Sequence, residues 1–102
     1  NKEIKMKVGI CWIKGRIHGN RSLKGKRRVI RSLCDRVRHR FGVSIAEVAD
    51  QESWKSVVFG IASVSGQSSI AREQVEKVLD YVEKSVYEIQ ILESDVDVID
   101  FT

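Results

Sequence analysis

Apolar residues recur at helical spacing across residues 21–40. Leu23, Ile30, Leu33, Cys34 and Val37, with Phe41 just beyond, fall within a sector of about 100° when each residue advances about 100°. The spacing predicts one long helix lying on a core, with Ser22 at its N-cap and Gly42 just past its end. A second helical pattern spans 70–85. Ala71, Val75, Val78, Leu79, Val82 and Val86 form its stripe, Glu73, Glu76, Asp80 and Glu83 face away, and Ser68 and Ser69 stand where N-caps would. Elsewhere the period drops to two or the run is apolar throughout. Residues 5–14 alternate, with Met6, Val8, Ile10 and Trp12 on one face and Gly9, Cys11 and Ile13 on the other; the bulkier face is expected inward. Residues 43–48, 54–64 and 88–99 are the other strands, the last carrying Ile89, Ile91, Val96 and Val98. The loops are 15–22, with two glycines and Asn20, then 49–53 and 65–69.

The order β-α-β-β-α-β predicts an α+β fold, a ferredoxin-like sandwich in one domain spanning 1–102. Its four-stranded antiparallel sheet carries both helices on one face. The other face is left open. Gly9, Cys11 and Ile13 with Val57, Phe59 and Ile61 are expected to form an apolar patch there, which would pair with a second copy as a homo-oligomer. Because the third strand is apolar on both sides, the opposite register stays open.

Composition adds less than pattern. With 42% hydrophobic and 31% charged residues the chain is an ordinary globular domain, not a disordered one. No apolar run is long enough to span a bilayer and no signal-peptide pattern appears, so no membrane contact and a cytoplasmic location are expected. Cys11 and Cys34 have neither metal spacing nor a disulfide framework, and fit small core residues in a reducing compartment. The charge is more telling. Residues 1–40 hold 14 Lys/Arg and 2 Asp/Glu, net +12; residues 41–102 hold 4 and 12, net −8. Such a split points to a nucleic-acid or membrane-surface contact, or to copies meeting head to tail.

The positive charge concentrates on the first helix, where Lys24, Arg27, Arg28, Arg31, Arg38 and His39 oppose the apolar stripe. Lys24, Lys26 and Arg27 crowd the end where the macrodipole is already positive, and Arg31–Asp35 is the clear favourable pair. A docked anion would account for that arrangement, since a helix N-terminus offers free N–H groups. The candidate anion or nucleic-acid site is therefore Arg21, Lys24, Lys26, Arg27, Arg28, Arg31 and Arg38. The alternative is a non-enzymatic self-assembling or protein-interaction module without a nucleic-acid partner. An RNA-recognition motif needs stacking aromatics on the open sheet face. Only Phe59 is offered there, with Trp12 expected in the core and Trp54 also expected there, so binding would run through the helix.

Catalytic signatures are missing. His18, His39, Glu47, Asp50, Glu52, Asp95, Asp97 and Asp100 are the titratable candidates, yet they form no Ser-His-Asp order, HExxH or phosphate loop. Asp95 and Asp97 share a strand face without a third ligand, which is a weak metal site. Glu47 interrupts an apolar strand and is expected to be paired if buried. No enzyme activity, cofactor or metal is expected.

The segments R-S-L-K-G-K-R-R-V-I-R-S-L-C-D-R-V-R-H-R-F, S-I-A-E-V-A-D-Q-E-S-W and G-I-A-S-V-S resemble the YlxP-like family, a bacterial domain of unknown function. The resemblance runs from Val8 into the fourth strand and rests on Ser22, Leu23, Lys24, Lys26, Arg27 and Arg28, then Ala46, Glu47, Val48, Gln51 and Trp54. It implies a ferredoxin-like fold with no established activity. The family is often encoded beside translation and ribosome-maturation factors, which implies RNA or ribosome contact by association. Gly25 stands where relatives tend to carry an acid, making this helix start more positive, and His18 stands where a proline is common.

Overall fold

The computed structural model describes residues 3–19 and 21–102, so Asn20 of the predicted loop lies outside the described residues. Its elements are β1 (Lys7–Ile17), α1 (Leu23–Phe41), β2 (Ser44–Ala49), β3 (Ser56–Ser65), α2 (Ser68–Lys84) and β4 (Ile89–Asp100). The four strands form one sheet in the order β2-β3-β1-β4, every neighbour antiparallel. This is the ferredoxin-like α+β layout, and both helices cover one face.

The core lies between that face and the helices. Leu33, Cys34 and Val37 of α1 and Ala71, Val75, Val78 and Val82 of α2 are buried, as their stripes predict. Val86 falls beyond the end of α2 and is exposed. The faces of β1 correct the expectation. Gly9, Cys11, Ile13, Gly15 and Ile17 point to the helices, and Trp12 is 37% exposed on the open side. Val57, Phe59 and Ile61 join them in the core, so the predicted open patch is in fact the sealed one. The reason is close approach. A methyl at Gly9 would run into the carbonyl of Ala71, and one at Gly15 into the side chain of Ile89. Glycine lets α2 and β4 press onto this face, and burial of each large apolar side chain there is worth roughly 1.5–3 kcal/mol.

Boundaries shift for identifiable reasons. β1 continues to Ile17, whose N–H donates to the Lys55 carbonyl at 2.8 Å. β3 begins only at Ser56, because the chain turns at Asp50 (φ 60°) and Ser53 Oγ accepts the Ser56 N–H at 3.1 Å. Trp54 is thus in the turn and 39% exposed, rather than in a strand and the core. Ser68 and Ser69 are helical residues, not caps; Gln67 takes the N-cap position without a side-chain hydrogen bond.

Candidate nucleic-acid interface

The start of α1 is built as its sequence suggests. Ser22 Oγ accepts the Gly25 N–H at 3.0 Å, no acid occupies the first turn, and Gly42 ends the helix in the left-handed region (φ 64°). The predicted basic residues then divide. Arg21, Lys24, Arg27, Arg28 and Arg31 are exposed, and among the described residues none forms an ion pair or side-chain hydrogen bond. Lys24 to Arg31 covers about 10 Å of helix. Asp35 pairs with Arg38 at 3.3 Å and not with Arg31, and Arg38 also donates to the Ile45 carbonyl at 2.8 Å. Arg38 therefore braces α1 against β2.

Lys26 leaves the candidate set altogether. It is 0% exposed. Its Nζ donates to the carbonyls of Asp50 (2.6 Å) and Ser53 (2.5 Å) and lies 2.8 Å from Glu47 Oε2. No well-aligned hydrogen bond reaches the buried Glu47 Oε2, which the ammonium holds by charge. Glu47 is paired, as expected for an acid set in an apolar strand. Asp50 completes the network, its Oδ2 accepting the Ser56 hydroxyl at 2.7 Å. The effect is to staple the 50–55 turn onto the first turn of α1. Trp54, next to the Ser53 carbonyl that Lys26 grips, is carried to this end of the molecule, and the Lys55 ammonium lies 5.2 Å from its ring centroid.

Beside that turn, a groove of ≈ 680 Å³ on the open sheet side is lined by Lys14, Arg16, Lys55, Ser56 and Leu92. Lys14 and Arg16, two apart on β1, share a face there. Glu93 is the ladder partner of Lys14, yet no ion pair joins them among the described residues. None of Lys14, Arg16, Trp54 and Lys55 was singled out from sequence as a site. The signal available was the K-G-R alternation running on past residue 14 and the W-K-S step out of a turn.

Other candidates are occupied structurally. Asp95 and Asp97 do share the open face, but each carboxylate accepts the N–H of the next residue, at 3.0 and 2.7 Å. No group of three metal-ligating side chains occurs among the described residues. His18 and His39 are exposed and belong to no such group. Cys11 and Cys34 are buried free thiols. Burial, helped by nearby Asp95, pushes Cys11 up to about 11, and burial raises Cys34 as well. No described helix is long and apolar enough to cross a membrane.

Residues 8–96 match the family described as "Protein of unknown function (DUF503)". The chain belongs to that family. It is also 36% identical over 76 residues to the uncharacterized protein YlxP of Bacillus subtilis (strain 168), covering 74% of this chain and 83% of that one. This DUF503 chain resembles two solved structures in its path. The de novo designed protein Foldit4 aligns at TM-score 0.51 and 16% identity, over 95% of this chain and 99% of that one. SnoaB, a cofactor-independent oxygenase from Streptomyces nogalater, aligns in a mutant form at TM-score 0.48 and 11% identity, over 91% and 90%. The designed protein speaks to the fold alone, and no chemistry is carried over from either.

Proposed function

We propose that this DUF503 protein is a non-enzymatic, cytoplasmic RNA-binding module, with free RNA or the ribosome as partner, gripping phosphates through α1. The observation that carries it is the set of five exposed cations, Arg21, Lys24, Arg27, Arg28 and Arg31, which form no ion pair among the described residues. Like charges at this spacing, at the positive end of a helix, oppose each other and the dipole by a few tenths of a kcal/mol per contact. Phosphates would relieve that cost. The two buried thiols fit a reducing compartment. Fluorescence anisotropy with a labelled RNA oligonucleotide tests the reading. The variant Lys24→Gln/Arg27→Gln/Arg28→Gln/Arg31→Gln is expected to lose at least tenfold in affinity at 50 mM salt. An unchanged affinity would remove α1 as the binding surface.

Self-association is a second reading, favoured by a separate observation. The open sheet face carries Ile10, Trp12, Gly60 and Ala62 around an apolar groove of ≈ 410 Å³, with Val64 62% exposed at its margin. A second copy of the chain would cover it.

A further inference from the structure

The phosphate-gripping reading leaves open which form of RNA would bind. The relevant features lie around the stapled turn. Trp54 is an exposed aromatic on a turn held by Lys26, itself buried and fixed by three oxygens. Lys26 ties the turn to the first turn of α1, the helix that carries the exposed cations on its outward side, and Lys55 at the end of the turn lines the groove with Lys14 and Arg16. Trp54 thus lies on the link between α1 and that groove, with the Lys55 ammonium over its ring.

Resting on that reading, we infer that Trp54 is a stacking platform for an unpaired base, and that the ligand is single-stranded RNA crossing the turn from α1 to the Lys14–Arg16–Lys55 groove. Every base has a π-face, so stacking on a rigid aromatic tolerates any sequence, and the flanking cations follow the backbone. The base would take the ring face that Lys55 now covers, and the displaced ammonium would move to an adjacent phosphate. A duplex keeps its bases stacked on one another and can use only the cations.

The test compares a single-stranded RNA decamer with the matching RNA duplex, titrated into the wild-type chain, Trp54→Ala and Trp54→Phe. The wild type is expected to favour the single strand. Trp54→Ala is expected to lose about tenfold or more for the single strand and little for the duplex, and Trp54→Phe to recover most of the loss. In a Trp12→Phe background, the single strand should quench the remaining Trp54 emission. Unchanged single-strand affinity in Trp54→Ala, or binding without quenching, overturns the platform and leaves the phosphate grip standing. Failure of the wild type to bind either RNA overturns both.

Discussion

At the residue scale Lys26 shows how a charge pattern divides once it folds. In the sequence it is one of six Lys/Arg between Arg21 and Arg31 whose residue type gives no warning of burial. Only its place about 200° from Lys24 on the helix, on the side of the apolar stripe, hints at its direction. In the structure it is a buried ammonium with three oxygens around it. Lys26→Met should therefore lower unfolding free energy by about 3 kcal/mol or more, leaving Glu47 buried and unpaired. Arg28→Met, on the exposed side, should stay within about 0.5 kcal/mol. Urea unfolding of the two variants checks the contrast. The thiols give a second expectation. Cys11 is held neutral in the folded chain, so the unfolded chain loses its proton first as pH rises. Its contribution is present below the unfolded value near 8.5 and is lost as pH climbs toward about 11. Unfolding free energy should fall more steeply over that window in the wild type than in Cys11→Ala, and at pH 8 a thiol reagent should label the folded chain far more slowly than the unfolded one.

At the scale of elements, α1, α2 and the order of elements along the chain were legible because periodicity is local, and the ends of α1 because its Ser22 and Gly42 caps are local too. The choice of buried face on β1 was not. Gly9 made the 9-11-13 side look poor, yet absence of a side chain is what lets the Ala71 backbone approach. Period-two alternation says which residues share a face; it takes the partner helix to say which face is sealed. Gly9→Ala is expected to cost at least 1–3 kcal/mol through overpacking. Gly66→Ala, where the nearest outside atom would be the Lys5 carbonyl oxygen at 3.6 Å, should cost well under that. Thermal unfolding of the pair separates a packing requirement from a general dislike of replacing glycine. The 50–55 turn was also hidden, since its position depends on a lysine 24 residues away from Asp50.

Across the whole molecule the charge split of the sequence becomes a geometry. Positive charge gathers around one end, on α1 and in the groove past Trp54. Negative charge lies along α2 and β4, and the apolar part of the open face lies toward Val8, Ile10 and Trp12. The surfaces proposed for self-association and for RNA binding are therefore neighbouring but distinct. On the self-association reading, sedimentation at tens of micromolar should show a dimer that Val64→Glu dissociates; a wild type that is wholly monomeric there would dispose of it. The phosphate grip is tested most directly by the salt dependence of RNA affinity. With about four phosphates engaged by α1, those contacts should contribute about −3 to the slope of log affinity against log salt for single-stranded RNA, and the fourfold glutamine variant of α1 should remove that contribution. A wild-type slope near zero, or one that the variant leaves intact, would contradict the proposal that these cations are there to meet a polyanion.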